Sequence, residues 1–240
     1  MRYLISDIHG DLILFKKMLR EINFNFEYDE LIIVGDILDR NEHGIKLYQF
    51  IKSFVEDGTM KLLIGNHELF AIKYMEGELS EKKWISFGGE HTLKDLKEMS
   101  DEEKEELLLF LKGLPLYLEI ETEKYGKSVI THTGLSIDTY VYNEDDSINV
   151  IQSIEKAAKE NLMEYLISLD IHYAPVHIKQ SLDRFLFVGH VCTFGLNDDA
   201  SNKIYRTPYY MNLDCGAGHK ELGGALGCYC IDTDEEFYVQ

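Results

Sequence analysis

The stretch LIIVGDILDR, residues Leu31–Arg40, decides the fold class of this chain. Its four leading apolar residues suit one buried strand, and they run directly into a glycine and an acidic group. Similar short apolar stretches lie at Arg2–Ser6 and Leu62–Ile64, and segments with helical spacing, Leu12–Ile22 and Ile45–Val55, separate the three. This alternation predicts an α/β fold with parallel strands and right-handed crossovers.

Side chains that can bind a metal follow five of the apolar stretches in the chain. They are Asp7, His9, Asp36, Asn66, His67, His132 and His190. Open α/β sheets build their sites at the carboxyl ends of strands, so we expect these side chains to meet. Carboxylate, imidazole and carboxamide ligands favour Mn²⁺, Fe²⁺ or Zn²⁺ over Ca²⁺, and one carboxylate can bridge two ions about 4 Å apart. The pattern therefore predicts a site for two divalent metal ions.

A glycine immediately precedes the metal-competent residue at three of these strand ends: Gly35, Gly65 and Gly189. Because glycine has no Cβ, we expect the backbone at these points to approach a bound group closely.

The rest of the chain adds helices and further strands without a linker or a repeat. Residues Ser80–Lys112 are mostly helical, and Leu116–Glu121 pairs with Ser128–Thr131 as a predicted hairpin. A long helix over Ile148–Leu169 follows, and short strands continue from Phe185 to the end. We expect residues 1–240 to form a single domain.

Composition excludes several classes of protein. Lys and Arg number 24 against 43 acidic residues, a net charge of −19, which disfavours bulk nucleic acid as a partner. No apolar run approaches the roughly 20 residues that a membrane-spanning helix needs, so no membrane partner is expected. The N-terminal segment has no signal-peptide pattern, which predicts a cytoplasmic protein with reduced cysteines.

Five blocks of this sequence resemble the PPP-type metallophosphatases of the calcineurin-like phosphoesterase superfamily. They are SDIHG (Ser6–Gly10), GDILDR (Gly35–Arg40), GNHE (Gly65–Glu68), THTG (Thr131–Gly134) and GH (Gly189–His190). That family includes compact bacterial and phage serine/threonine protein phosphatases and diadenosine-tetraphosphate hydrolases. The resemblance implies a metallophosphoesterase-like four-layer α/β/β/α sandwich, in which helices flank two mixed sheets.

The resemblance also implies a role for each matching residue. The ligands of two metal ions would be Asp7, His9, Asp36, Asn66, His132 and His190. Asp36 would bridge the ions, Arg40 and Asn66 would bind the substrate phosphate, and His67 would be the general acid, oriented by Asp39. The residue chemistry agrees on the acid, because histidine with a carboxylate partner is the commonest general acid near neutral pH.

The activity that the resemblance implies is hydrolysis of phosphomonoesters by direct attack of a metal-bound hydroxide. Mn²⁺ is the expected metal, with Fe²⁺ or Zn²⁺ as alternatives. The substrate is expected to be a phosphorylated protein, as for the serine/threonine phosphatases. A small nucleotide, as for the dinucleoside polyphosphate hydrolases, is the alternative. A third hypothesis is a binding module that recognises phosphate without hydrolysing it.

The sequence leaves open which residue replaces the second phosphate-binding arginine of the protein phosphatases. Arg184 precedes a strand and is poorly placed, and Arg206 is a weak substitute. Asp214 is expected to cap a turn. The remaining histidines are interpreted as surface or hydrogen-bonded residues: His43, His91, His172, His177 and His219.

Overall fold

The computed structural model describes all residues, 1–240, as ten strands and nine α-helices. The strands are β1 (Arg2–Ile5), β2 (Glu30–Ile33), β3 (Met60–Leu62), β4 (Tyr117–Thr122), β5 (Gly126–Thr131), β6 (Phe185–Val188), β7 (Tyr205–Arg206), β8 (Tyr210–Asn212), β9 (Leu226–Cys230) and β10 (Glu236–Val239). The helices are α1 (Leu12–Glu21), α2 (Gly44–Glu56), α3 (Asn66–Met75), α4 (Glu81–Ile85), α5 (Glu90–Glu98), α6 (Asp101–Lys112), α7 (Val150–Leu166), α8 (Asp170–Tyr173) and α9 (Val176–Gln180).

The strands form two mixed sheets, as the resemblance implies. The first has the order β10-β9-β1-β2-β3, with β1, β2 and β3 parallel and β9 and β10 antiparallel. The second has the order β4-β5-β6-β8-β7, with parallel pairing in its centre and antiparallel strands at both edges. Crossover helices join the parallel strands, which explains why apolar stretches alternate with helical segments in the first seventy residues.

Alternating side chains on each strand separate an inner apolar layer from two outer ones. Leu4 and Ile32 of the first sheet share a buried cluster with Phe187 of the second, so this layer lies between the sheets. Their neighbours Ile5 and Ile33 belong to the larger cluster that includes the helices. Helices therefore flank two stacked sheets, and the predicted fold class is confirmed.

The structure differs from the predicted elements in three places. The helix predicted over Ile148–Leu169 bends at Asn161, whose backbone is extended and whose side chain caps the next turn. The stretch KIYRT (residues 203–207), one of the short strands predicted after Phe185, forms a strand of only two residues, which pairs with β8 alone at the sheet edge. The sequence after Leu62–Ile64 predicts a helix from about Glu68, but α3 begins at Asn66, which brings two predicted site residues into its first turn.

The four cysteines are free thiols, as expected. None of the helices has both the length and the apolar character needed to span a membrane.

Candidate metal centre

The structure brings the predicted metal ligands together around one carboxylate. Oδ2 of Asp36 lies 3.4 Å from Nε2 of His132, 3.8 Å from Nε2 of His9 and 3.9 Å from Nε2 of His67. Asn66 Oδ1 is 3.0 Å from Nε2 of His132. All five side chains are buried, and they come from the carboxyl ends of β1, β2, β3 and β5.

Two groups of possible ligand atoms share Asp36. In one group, ligand atoms of His9, Asp36 and His67 lie within 4.8 Å of one another. In the other, ligand atoms of Asp36, His132 and His190 do so. Because a carboxylate has two oxygens with several lone pairs, Asp36 can serve both groups. The geometry thus suits two cations that share one carboxylate.

Asp7 contributes a buried carboxylate oxygen that has no hydrogen-bond partner. Its Oδ1 is this unpartnered atom and lies 3.9 Å from Nε2 of His9. Its Oδ2 accepts hydrogen bonds from the His190 amide at 3.0 Å and from the Ser6 hydroxyl. Burial raises the pKa of Asp7, and the charge of Asp214 raises it further. A cation would satisfy the free oxygen and favour the ionised form, so the donor set fits a bound metal.

The imidazole rings are oriented by backbone carbonyls. Nδ1 of His132 donates to the Val34 carbonyl at 2.8 Å, and Nδ1 of His9 donates to the Leu38 carbonyl at 3.1 Å. Each bond leaves Nε2 as the nitrogen that faces the centre. Such outer bonds fix the tautomer and orientation of metal-binding histidines.

Asp36 and His132 form the strongest electrostatic pair of the centre. Burial alone would raise the pKa of Asp36, but His132 and then His67 hold it well below its usual range. Burial would likewise lower the pKa of His132, but the Asp36 carboxylate outweighs it and raises the pKa to about 10. The proton held by this pair would be exchanged for a metal ion, because a ligating imidazole must be neutral.

Unusual backbone conformations are concentrated in this centre. Of ten non-glycine residues with positive φ, six lie in the sequence blocks: Asp7, His9, Asp36, Asp39, Arg40 and His190. Each such residue costs on the order of 1–3 kcal/mol, which the surrounding structure must offset. Backbone hydrogen bonds between neighbouring loops help to offset this cost. The His9 amide, for example, donates to the Asp36 carbonyl at 2.9 Å.

The three strand-end glycines make room for ligand side chains from neighbouring loops. A Cβ at Gly65 would lie 2.2 Å from Asp36 Oδ1, and a Cβ at Gly189 would lie 2.3 Å from Asp7 Oδ2. A Cβ at Gly35 would lie 2.7 Å from the His132 ring. The close approach at these glycines is therefore to the side chains of the candidate ligands and not, as expected, to a bound group.

His67 and Asp39 form the predicted acid–carboxylate pair. Nδ1 of His67 lies 2.8 Å from Oδ2 of Asp39, and the Trp84 indole N–H donates to the same oxygen at 2.8 Å. The Asp39 amide donates to Thr92 Oγ1 at 3.0 Å. Burial would lower the pKa of His67, but the charges of Asp36 and Asp39 outweigh it and raise the pKa. The ring therefore tends to hold a proton, with Nε2 facing the centre.

Glu68, the last residue of the GNHE block, is a positioning residue for which the sequence predicts no role. Its carboxylate accepts amide hydrogen bonds from Asp36 at 2.8 Å, Gly65 at 3.0 Å, Ile37 at 3.0 Å and Leu38 at 3.3 Å. It thereby fastens the loop after β2 to the start of α3. The signal in the sequence is an acidic residue at the third position of a helix, typical of a capping box.

Arg40 lies at the edge of the centre, half-buried, and contacts His219. His219 therefore has a polar partner at the site. The other arginines are engaged elsewhere: Arg184 pairs with Glu119, and Arg206 pairs with Asp234 at 2.6 Å. Both guanidinium groups have carboxylate partners, which supports the expectation that Arg184 and Arg206 are poor candidates for a second phosphate-binding arginine.

Asp214 caps a turn beside the centre, as expected. Its Oδ1 accepts the Gly216 amide at 2.9 Å, and the thiol of Cys192 lies 3.4 Å from its Oδ2.

Stacked mixed sheets with a shared carboxylate among imidazoles at their strand ends define a metal-dependent phosphoesterase fold. The chain belongs to the calcineurin-like phosphoesterase family, whose family model matches residues 3–207.

Curated relatives match part of the chain. It is 30% identical over 134 residues to a symmetrical bis(5'-nucleosyl)-tetraphosphatase of Haemophilus ducreyi, covering 56% of this chain and 45% of that protein. It is 29% identical over 151 residues to serine/threonine-protein phosphatase 2 of Salmonella typhimurium, covering 62% and 65%. The match thus spans about half the length of the first relative and about two thirds of the second.

Solved structures share the fold across almost the whole chain. A cold-active protein-tyrosine phosphatase of a Shewanella species superposes with a TM-score of 0.59 at 15% identity, covering 100% of this chain and 80% of that one. A protein serine/threonine phosphatase from Saccharomyces cerevisiae gives a TM-score of 0.60 at 14% identity, covering 95% and 71%. At these identities the likeness supports the fold alone.

Proposed function

We propose that this chain is a dinuclear-metal-dependent phosphoesterase that hydrolyses phosphomonoesters, with phosphoserine or phosphothreonine on proteins as its substrate class. The observation that carries this proposal is the position of Asp36, whose carboxylate lies within 3.9 Å of three imidazole nitrogens. Family membership supports the reaction class, and the Salmonella relative supports the substrate class.

We propose that six side chains hold two metal ions, which are Mn²⁺ or, as alternatives, Fe²⁺ or Zn²⁺. The ligands would be Asp7, His9 and Asp36 for one ion, and Asp36, Asn66, His132 and His190 for the other. When bound, the ions would lower the pKa of a water molecule and offset the charge of the phosphate.

The protein's own residues would bind the phosphate and move one proton. The Arg40 guanidinium offers a fork of N–H donors that matches two phosphate oxygens, and the Asn66 amide can add another donor. His67 would protonate the leaving oxygen from Nε2, because its Nδ1 is held by Asp39 at 2.8 Å. The carboxylate of Asp39 keeps the ring oriented and favours its protonated form.

The proposal is tested by hydrolysis of p-nitrophenyl phosphate with Mn²⁺, before and after a chelator. We expect turnover that the chelator abolishes and added Mn²⁺ restores. Asp36→Asn should lose both metal and activity, whereas Asp101→Asn, at a fully exposed carboxylate, should keep them. Absence of metal-dependent turnover in the wild type, or full activity in Asp36→Asn, would refute the proposal. A wild type that neither carries nor takes up metal would favour the binding-module hypothesis.

A second substrate class, the dinucleoside polyphosphates, is favoured by one specific observation. Arg184 and Arg206 both form ion pairs with acidic residues of this chain, so neither is a free guanidinium like the second phosphate-binding arginine of the protein phosphatases. The Haemophilus relative is a tetraphosphatase of this kind. Chromatography of the products from diadenosine tetraphosphate, beside a phosphopeptide assay with the same metal, separates the two substrate classes.

The single domain and the cytoplasmic location stay predictions.

A further inference from the structure

The loop between β8 and β9, residues 213–225, contacts the side chain of Arg40. A Cβ at Gly218 would lie 2.6 Å from Cδ of Arg40, and a Cβ at Gly88 would lie 3.1 Å from its Cγ. The aliphatic part of Arg40 thus passes between two glycines that belong to distant segments. The space between the two glycines fixes the direction of the Arg40 side chain. The orientation of the guanidinium group depends on its polar contacts.

The polar contact at the end of Arg40 is the ring of His219. Nη1 of Arg40 forms a hydrogen bond with Nε2 of His219. An arginine side chain can only donate, so Nε2 must accept and the ring proton must sit on Nδ1. Nδ1 lies 3.2 Å from a carboxylate oxygen of Glu221, which accepts that proton. Glu221, His219 and Arg40 therefore form one directed chain of hydrogen bonds.

Backbone hydrogen bonds and an ion pair fix the position of the loop that contains His219. Its carbonyl accepts the amides of Leu222 at 3.0 Å and Gly224 at 3.2 Å. Lys220 forms an ion pair with Asp11 at 2.5 Å, which ties the loop to the start of α1. Arg40 itself retains a buried Nε without a hydrogen-bond partner, a donor that a phosphate oxygen would satisfy.

We propose that His219, oriented by Glu221, is a positioning residue that holds the Arg40 guanidinium in the orientation that binds the substrate phosphate. This inference rests on the proposed function, because it assumes that Arg40 binds phosphate. It also explains how a single arginine can bind phosphate in this chain, since an oriented guanidinium loses less freedom on binding.

The test measures binding of inorganic phosphate to the Mn²⁺-loaded protein by titration calorimetry, which does not depend on turnover. His219→Ala should weaken phosphate binding about tenfold. His219→Gln should stay within about twofold of the wild type, because its amide oxygen can take the place of Nε2. His219→Asn is the matched control: its amide lies at the position of Nδ1, so it should behave like His219→Ala. Glu221→Ala, at an exposed carboxylate that does not endanger folding, should weaken binding about threefold.

A double-mutant cycle separates positioning from a structural effect. In an Arg40→Ala background, His219→Ala should change phosphate binding by less than about twofold. Equal losses for His219→Ala and His219→Gln, a loss that persists without Arg40, or unchanged binding in both His219→Ala and Glu221→Ala would overturn the inference. If the wild type binds no phosphate, or if Arg40→Ala binds it normally, the proposed function of the site fails first. If Arg40→Ala weakens phosphate binding and His219→Ala does not, this inference is refuted while the proposed function of the site stands.

Discussion

Replacement of Glu68 by glutamine should destabilise the fold, although the two side chains have almost the same shape. One carboxylate oxygen of Glu68 accepts the amides of Asp36 and Gly65, and the other accepts those of Ile37 and Leu38. Glutamine keeps one oxygen and places an NH₂ group against two of these amides. Two buried donors then lose their acceptor at about 1–3 kcal/mol each, so we expect a loss of about 2–6 kcal/mol.

The assay is urea denaturation at pH 8 in the presence of a chelator, so that metal binding does not contribute to the free energy of unfolding. The pH matters because burial, and then the charge of Asp36, raise the pKa of Glu68 to about 7. At pH 8 the wild-type side chain is mostly ionised, so each of its oxygens can accept two amides. Glutamine also removes the cost of burying this charge beside Asp36, and this relief places the expected net loss at the lower end of the range. The control is Glu102→Gln on the exposed face of α6, expected within about 0.5 kcal/mol of the wild type.

If Glu68→Gln loses no more free energy of unfolding than the control, the assignment of Glu68 as the residue that joins the loop after β2 to the start of α3 is refuted. The same variant should also bind Mn²⁺ more weakly, because Asp36 and the start of α3 would no longer be fastened together. Unchanged metal affinity in a destabilised variant would show that the link serves the fold but not the centre.

Three further predictions concern His67, Gly65 and His172. His67→Asn should keep its metal but lose about 10²–10⁴-fold in turnover, measured by metal analysis and p-nitrophenyl phosphate hydrolysis. Gly65→Ala should lose metal affinity and stability, because its Cβ would lie 2.2 Å from Asp36 Oδ1, whereas Gly195→Ala, with open space around it, should not. Burial lowers the pKa of His172 to about 4 from 6.5, so the unfolded chain binds a proton first as the pH falls. Stability should therefore drop between pH 7 and pH 5 by about 2 kcal/mol more in the wild type than in His172→Gln, measured by urea denaturation.

Each of these three has a clear contrary result. Loss of metal from His67→Asn would make His67 a ligand, as its place in one of the two ligand groups would also permit. Equal effects of the two glycine variants would mean that the close approach at residue 65 is unimportant. A parallel pH dependence in the wild type and His172→Gln would show that this ring is not kept neutral by burial.

The sequence predicts the candidate ligands of the centre because each lies close behind a strand. Asp36 and His132 follow strands β2 and β5, and once the strands are recognised, the common edge of the sheets brings the two side chains together. Local sequence is therefore enough to predict most of the candidate ligands. The same holds for the start of α6, because the residue pair Ser100–Asp101 predicts a helix cap from local sequence and the Ser100 side chain accepts the Glu103 amide.

The surroundings of the centre could not be predicted, because they depend on contacts between distant segments. The indole of Trp84 reaches Asp39 across 45 positions, and His219 reaches Arg40 across 179. Neither residue belongs to a strand-end block, and each acts through the side chain of another residue. A histidine in a polar loop looks like a surface residue until the fold shows which charge it faces.

The most direct test of the account is anomalous diffraction at the manganese edge from crystals grown with Mn²⁺. We expect two peaks, one near His9 and Asp7 and the other near His132 and His190, with the Asp36 carboxylate between them. A single peak, or two peaks that do not share Asp36, would contradict the account.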